Sequence, residues 1–383
     1  MDDQALADNF YHTVDMFIRL LGAEQVSRTD IFFRVSRAAI GINIDYSELQ
    51  RIVAGITSFH AWYDSFQSSA EHFARLAEHA EIQGHYITAG EHYLRAGLLY
   101  HFAQLFTRPE DPRRIEGQQK RVAYYRQACP YLEPAVERVE VPFGGLRLPA
   151  YFRRLRGTAA PPIVLMIPGA NSVKEELHNW GWEFVKRGLA TLAFDGPGQG
   201  ELAVRHGGPP LRLETYHHVV SAVIDYVESN LEVNPKYLAV WGQSTGGHLA
   251  MRAATQDSRI KAAVSLGGGY DFHLEMASTT PADVREEGRD LHGFSSFAET
   301  ETYLRKYASL EGIAAKIRCP LLLIHGAQDN IVALEEMEQI RREAAGPTEL
   351  KVYEDGNHSV CNRNLEMSAF MADWVADQLR ETI

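Results

Sequence analysis

The feature that most constrains the fold is a serine in a Gly-x-Ser-x-Gly motif that joins an apolar run to a helical segment. Residues 237–241 form the apolar run, and Gly242-Gln243-Ser244-Thr245-Gly246 follows at once. A turn this tight needs a residue without a side chain on each side of the serine. The pattern predicts a strand, a sharp turn and a helix that hold the Ser244 hydroxyl above the carboxyl edge of a sheet.

Apolar and helical segments alternate through the second part of the chain. Residues 163–167 are a continuous apolar run, which is expected of a strand covered on both faces. Further strands are expected at residues 189–194, 237–241, 262–266, 321–324 and 350–353, after a β-hairpin at residues 139–142 and 146–152. Alternating strands and helices predict an α/β fold with a mostly parallel eight-stranded sheet flanked by helices.

The first part of the chain has a different pattern. Residues 1–134 show apolar positions at the helical period, most clearly in residues 84–106, and no alternation typical of strands. We therefore predict an all-helical domain at residues 1–134 and a catalytic domain at residues 135–383. A polar stretch at about residues 271–312 is expected to be an insertion between two strands of the second domain.

Composition excludes several classes of protein. The net charge of -12 argues against a nucleic-acid partner and against a basic membrane-binding patch. No apolar run approaches the ~20 residues that span a bilayer. The acidic first residues lack a signal-peptide pattern, so a cytoplasmic protein is expected. The three cysteines (Cys129, Cys319 and Cys361) are scattered, and no Cys/His cluster has metal-ligand spacing, so neither disulfides nor a metal or other cofactor is expected.

A serine nucleophile needs a base, and the base needs an acidic partner. The expected strand at residues 321–324 is followed by Asp329, and the last expected strand is followed by His358. Serine, acid and histidine in this chain order are typical of α/β-hydrolases. The sequence therefore predicts a catalytic triad of Ser244, Asp329 and His358.

Acyl attack also needs two N–H groups that stabilise the oxyanion. The Thr245 N–H, at the start of the helix after the serine, is the first candidate. The second lies in the loop after residues 163–167, where we favour the Ala170 N–H over that of Asn171. Asp195, in a turn rich in glycine and proline, is interpreted as a structural residue.

The helical domain supplies candidate substrate contacts, to which Asn171 is added from the loop. His60, Trp62 and Tyr100 are the candidates in the helical domain. Aromatic residues at helical spacing more commonly belong to a core, so both interpretations stay open for these side chains.

Several motifs together resemble one group of α/β-hydrolases over nearly the whole chain. The motifs lie at residues 168–169, 172–176, 194–201, 242–247, 326–329 and 356–358. Residues 195–201, Asp-Gly-Pro-Gly-Gln-Gly-Glu, are the most specific. The group resembled carries an N-terminal helical domain and includes 2,6-dihydroxypseudooxynicotine hydrolase and the fungal polyketide-shortening hydrolases. The resemblance implies a helical lid, homodimers in some members, and hydrolysis of a carbon–carbon bond beside a ketone in a β-diketone-like, polyketide-like or aromatic substrate.

The same resemblance places Glu275 where a relative has an active-site glutamate. Such a carboxyl can protonate a carbanion-like leaving group, whereas the alternative is a solvated glutamate on the insertion.

The substrate is expected to be a small molecule. Hydrolysis of esters or lactones, acyl transfer or cyclisation on the same triad, and a non-enzymatic regulator built on this fold are the alternatives.

Overall fold

The computed structural model describes residues 12–20, 37, 44–58, 60–107, 111–271 and 282–380. The chain divides into two compact units, Met1–Arg138 and Val139–Ile383. The division lies close to the junction that the sequence predicts after residue 134.

The described part of the first unit is helical as far as residue 131, and its last three residues, 136–138, begin a strand. Residues 12–20 form a helix. The longer helices are α1 (Tyr46–Ala54), α2 (Ala61–Ile82), α3 (Tyr86–Ala103) and α4 (Arg113–Ala128). Small residues let these helices approach closely, since a Cβ on Gly97 of α3 would lie 3.0 Å from the Arg121 carbonyl oxygen of α4.

The second unit is built on one eight-stranded sheet with the order β1-β2-β4-β3-β5-β6-β7-β8. The strands are β1 (Val136–Phe143), β2 (Leu146–Arg153), β3 (Ile163–Ile167), β4 (Ala190–Phe194), β5 (Leu238–Gln243), β6 (Ile260–Leu266), β7 (Leu321–Gly326) and β8 (Thr348–Tyr353). β2 pairs antiparallel with β4, and the strands from β4 to β8 pair in parallel.

Helices flank this sheet. They are α5 (His178–Val185), α6 (Tyr216–Asn230), α7 (Thr245–Ala254), α8 (Ala282–His292), α9 (Phe297–Tyr307), α10 (Leu334–Glu343) and α11 (Asn364–Arg380). The residues of β3 alternate between two buried clusters, with Leu165 in one and Val164 and Met166 in the other. Both faces of the sheet are therefore covered, and the predicted α/β-hydrolase fold is confirmed.

Several strands run further than their apolar residues predicted. β5 continues to Gln243, which pairs with Leu266, and β7 continues to Gly326, which pairs with Tyr353. Hydrogen bonds between strands do not depend on side-chain polarity, so polar and glycine residues can complete a ladder. Because these strands are parallel, their carboxyl ends lie at one edge of the sheet.

The polar stretch between β6 and β7 begins and ends in paired backbone. The Leu310 N–H donates to the Tyr270 carbonyl oxygen at 2.9 Å, and residues 271 and 309 form an isolated bridge. Helices α8 and α9 lie within the stretch. Residues 272–281, and with them Glu275, lie outside the described residues.

Candidate active site

Ser244 occupies a strained turn between β5 and α7. Its φ and ψ are 53° and −125°, a region that L-residues rarely adopt. Cβ atoms on the flanking glycines would collide with backbone, at 2.0 Å from the Gly246 oxygen for Gly242 and at 2.2 Å from the Ile167 oxygen for Gly246. The turn therefore requires glycine at both positions, as the motif predicted, and it leaves the Ser244 side chain half-buried.

His358 lies between Ser244 and Asp329. The Ser244 hydroxyl is 2.9 Å from His358 Nε2, and His358 Nδ1 is 2.8 Å from Asp329 Oδ2. With Nδ1–H donating to the carboxylate, Nε2 is left to accept the serine proton. The structure thus brings the three predicted triad residues into one hydrogen-bonded chain, in the order that nucleophile, base and acid require.

The carboxylate of Asp329 is buried and fully engaged. Its Oδ1 accepts from the Ile331 and Val332 N–H groups at 2.8 and 3.1 Å, and its Oδ2 faces His358. Burial alone would raise the pKa of Asp329. The charges of His358 and His325, together with hydrogen bonds from His358 and the Val332 N–H, outweigh burial and lower that pKa overall. A carboxylate held in this way stays ionised and fixes the orientation of the imidazole.

The backbone after His358 is also unusual. Ser359 and Val360 have φ of 56° and 52°, in the left-handed region. Gln243, the residue before Ser244, donates from Nε2 to the Ser359 hydroxyl at 3.3 Å. Sequence reasoning missed Gln243 and Ser359, and the only available signal was their position beside two predicted triad members.

The two predicted oxyanion donors come from neighbouring segments. Thr245 is the first residue of α7, where amide N–H groups have no partner within the helix. Ala170 follows Gly169, and a Cβ on Gly169 would lie 3.4 Å from the Ser244 Cβ. The loop after β3 therefore runs directly beside Ser244, as the oxyanion interpretation requires.

Asn171, in the same loop, contacts the polar stretch between β6 and β7. Its Nδ2 donates to Glu287 Oε2 of α8 at 2.7 Å, and both residues are half-buried. Sequence reasoning did not single out Glu287, since nothing in the local pattern of α8 distinguishes it from its acidic neighbours. The contact places the Glu287 carboxylate next to the loop that carries Ala170.

The candidates in the helical unit lie in a different environment. Trp62 and Tyr100 are buried in the core of that unit. Trp62 Nε1 donates to the Phe102 carbonyl oxygen at 2.9 Å, and Lys120 Nζ lies 3.1 Å from the Tyr100 hydroxyl. His60 is exposed and precedes α2. These contacts belong to the structure of the helical unit, and a role in substrate binding stays a prediction.

Two absences concern the described part of the chain only. There, no group of three or more His, Cys, Asp or Glu residues is arranged to hold a metal ion. No helix within the same ranges is both long and apolar enough to cross a bilayer.

Comparison with known families gives two overlapping matches. Residues 22–282 match the FrsA-like esterase family, and residues 183–382 match the prolyl oligopeptidase family of α/β-hydrolases. Together these matches include Ser244, Asp329 and His358.

Individual proteins extend the likeness. The chain is 30% identical over 271 residues to 2,6-dihydropseudooxynicotine hydrolase of Paenarthrobacter nicotinovorans, covering 70% of this chain and 72% of that one. It is 36% identical over 192 residues to 20-hydroxy-prefusarin hydrolase of Gibberella moniliformis, covering 46% of this chain and 44% of that one. The alignments thus span less than half of this fungal relative.

Solved structures agree with the sequence relatives. The crystal structure of 2,6-dihydroxy-pseudo-oxynicotine hydrolase superposes with a TM-score of 0.81 at 29% identity, over 90% of this chain and 95% of that chain. AbyA5 superposes with a TM-score of 0.65 at 20% identity, over 88% of this chain and 99% of that one, which is evidence for the shared fold alone.

Proposed function

This chain belongs to the FrsA-like esterase family of α/β-hydrolases, and from that premise we propose that it hydrolyses a carbon–carbon bond beside a ketone. The substrate class is a β-diketone-like, polyketide-like or aromatic ketone. Ser244 is the nucleophile, His358 the base and Asp329 the residue that orients the base. One observation carries the proposal, namely that His358 contacts both Ser244 Oγ and Asp329 Oδ2 within 2.9 Å.

The reaction begins with attack of Ser244 Oγ on the ketone carbon as its proton passes to His358 Nε2. The developing oxyanion accepts hydrogen bonds from the Thr245 and Ala170 N–H groups. The carbon–carbon bond then breaks, its electron pair leaves as an enolate, and the imidazolium of His358 protonates that carbon. Water, activated by His358, next attacks the acyl group on Ser244 and releases a carboxylic acid, so the serine is regenerated.

The leaving group distinguishes this reaction from ester hydrolysis. A carbanion departs readily only when a neighbouring carbonyl delocalises its charge, which is why the proposal names β-diketone-like substrates. Both relatives named above are hydrolases of organic small molecules by their names, which supports a substrate of this kind. We also propose that Glu275 polarises the ketone of the leaving group, or protonates the enolate carbon in place of His358, in which case the imidazolium returns its proton to Glu275 before water attacks.

Hydrolysis of a carboxylic ester or lactone is the second candidate function. The description of the matching family as esterases favours it. It uses the same nucleophile, base and oxyanion donors, and differs only in releasing an alkoxide instead of an enolate. The two functions therefore separate by substrate and not by the geometry of the triad.

Turnover of a small substrate panel tests the proposal. The panel contains aryl β-diketones, short polyketide mimics and p-nitrophenyl esters, with products identified by mass spectrometry for wild type, Ser244→Ala and Glu275→Gln. Cleavage of β-diketones that both variants lose supports the carbon–carbon hydrolase. Turnover of esters alone, with Glu275→Gln as active as wild type, contradicts it and assigns an esterase or lactonase instead.

Three further properties belong to the same proposal. We propose that the first unit acts as a lid over the active site, that the protein forms a homodimer, and that it works in the cytoplasm. Light scattering coupled to gel filtration tests the dimer, since a single peak at about 43 kDa, the mass of one chain, contradicts it. Turnover of the second unit alone at unchanged KM would contradict the lid.

A further inference from the structure

We infer that residues 195–201 position the oxyanion loop, and that Gln199 is the positioning residue. The oxyanion loop is defined here as residues 168–174, which carry the Ala170 N–H. The inference deepens the proposed function, because it assigns a role to a turn that the proposed mechanism does not use. It rests on that function, because the oxyanion forms only in the proposed reaction. It follows from contacts at both ends of the loop.

At the first end, Gln199 holds the Pro168 carbonyl. Its Nε2 donates to the Pro168 oxygen at 2.6 Å, while its Oε1 accepts from the Tyr216 hydroxyl at 2.8 Å and from the Gly196 N–H at 3.3 Å. A backbone N–H can only donate, so the contact with Gly196 fixes which side of the amide is oxygen. Gln199 and Tyr216 are each 1% exposed, so water does not compete for these bonds.

At the second end, Asp195 holds the backbone of Lys174. Asp195 Oδ1 accepts from the Lys174 N–H at 2.9 Å, and Oδ2 accepts from the Glu201 N–H at 3.0 Å. The Lys174 ammonium is fully buried and bonds Asp195, Glu175 and Glu201 at 2.7, 2.8 and 2.6 Å. Both ends of the oxyanion loop are thus bonded to one short turn.

Backbone contacts in the middle of the oxyanion loop set the direction of the Ala170 N–H. The Gly169 carbonyl oxygen accepts from the Ser172 N–H at 3.3 Å, and in a trans peptide the next N–H points the opposite way. The Ala170 N–H therefore points away from the Ser172 nitrogen. The Pro168 oxygen also lies against the helix after the nucleophile, because a Cβ on Gly246 would approach it to 2.7 Å.

The chemistry of the turn favours a positioning role over simple stabilisation. Buried ions and amides stabilise a fold little compared with apolar side chains of the same size, since their desolvation offsets their bonds. They do fix directions, and an oxyanion hole depends on direction. A displacement of about 1 Å in an active site can reduce the rate about 100-fold.

The variants Gln199→Met and Gln199→Glu test the inference. Methionine keeps the size and removes the donor, whereas glutamate keeps the polarity and can donate to Pro168 only when it is protonated. We expect a fall in kcat of about 10- to 100-fold for a p-nitrophenyl ester, with KM changed less than about twofold. Affinity for a trifluoromethyl ketone, which forms an oxyanion on Ser244, should fall by the same factor.

A matched control is Thr255→Val. Thr255 is a buried residue at the far end of α7, and its hydroxyl donates to the Arg252 carbonyl oxygen at 2.7 Å. This variant also removes one buried bond to a backbone carbonyl, so its thermal unfolding midpoint should fall. Its kcat and its affinity for the trifluoromethyl ketone should stay at the wild-type level.

Several outcomes overturn the inference. A wild-type kcat in both Gln199 variants would overturn it. A lower kcat with unchanged affinity for the trifluoromethyl ketone would also overturn it. If Gln199→Met does not fold, Gln199→Glu decides alone, because its activity relative to wild type must rise as the pH falls and the carboxyl becomes protonated. A wild-type enzyme that forms no adduct and turns over no substrate contradicts the proposed function itself, and the loop then has no oxyanion to bind.

Discussion

Gln243 donates from Nε2 to the Ser359 hydroxyl at 3.3 Å, so the residue before Ser244 is bonded to the residue after His358. Both side chains are buried. A Cβ on Gly267, which follows β6, would lie 3.1 Å from the Ser359 nitrogen. The histidine loop, the segment after β8 that carries His358 and Ser359, is therefore packed against neighbouring strand ends. The distance between Ser244 and His358 is therefore set partly by this pair.

Removal of either partner should slow catalysis. Gln243→Leu and Ser359→Ala each release the histidine loop from β5, and we expect kcat to fall about 10-fold, since misplacement of a catalytic group weakens proton transfer. The rate of labelling by a fluorophosphonate measures this directly. The double variant should be no slower than the slower single variant, and losses that multiply would mean that the two residues act independently.

Replacement of Asp329 should remove most of the activity without unfolding the protein. Asp329→Asn keeps the shape but favours the wrong histidine tautomer, and we expect kcat to fall about 10⁴-fold. The control is Asp257→Asn. Asp257 pairs with Arg259 away from the triad, so this variant should keep the wild-type kcat. Equal activity of Asp329→Asn and wild type in the ester assay would remove Asp329 from the mechanism.

The tight turn around Ser244 predicts that alanine destabilises the protein much more at Gly246 than at Gly84. Gly246→Ala places a Cβ 2.2 Å from the Ile167 oxygen, whereas Gly84→Ala, at φ +75°, meets nothing within 4 Å. Strain at a left-handed position alone is about 1–2 kcal/mol, and a collision with backbone adds to a substitution's cost. Urea denaturation should therefore show Gly246→Ala to be the more destabilised. Equal losses would mean that the elbow yields to a methyl group.

Much of this architecture could be predicted because it depends on local patterns. An apolar run of five residues is enough to specify a strand such as β3, and the two glycines beside Ser244 report a turn that no other residue fits. The positions of Asp329 and His358 follow from the rule that side chains after parallel strands meet at one edge. Each of these inferences uses residues that are adjacent in the sequence.

The contacts that could not be predicted join side chains that are distant in sequence. Gln199 bonds Pro168 across 31 residues, and Asn171 bonds Glu287 across 116. A buried glutamine and an exposed one look alike in the sequence, because the difference lies in tertiary packing. The motif at residues 195–201 is specific in sequence, yet only the folded backbone connects it with the loop beside Ser244.

The pair of Asn171 and Glu287 should affect large substrates more than small ones. Their hydrogen bond of 2.7 Å ties the loop beside the nucleophile to α8, which lies in the stretch between β6 and β7. We expect Asn171→Ala and Glu287→Gln to lower kcat/KM about fivefold for a bulky ketone, which corresponds to the roughly 1 kcal/mol of a typical hydrogen bond, and to spare p-nitrophenyl acetate. Glu338→Gln, on an exposed pair with Arg341, is the control. Equal losses on both substrates would contradict a role in substrate selection.

Glu336 predicts a pH dependence of stability at the base of the same stretch. Its Oε2 accepts from the N–H groups of Tyr270 and Asp271, each at 2.9 Å, and burial raises its pKa above the ordinary 4.5. A raised pKa in the folded state means that the stabilisation is complete below 4.5 and is lost as the pH rises through the folded value. Wild type should therefore lose stability relative to Glu336→Gln between about pH 4 and neutrality. Urea denaturation of both proteins across that range measures the difference. A constant gap, or one that changes in favour of wild type at high pH, would show that folding does not raise the pKa of Glu336.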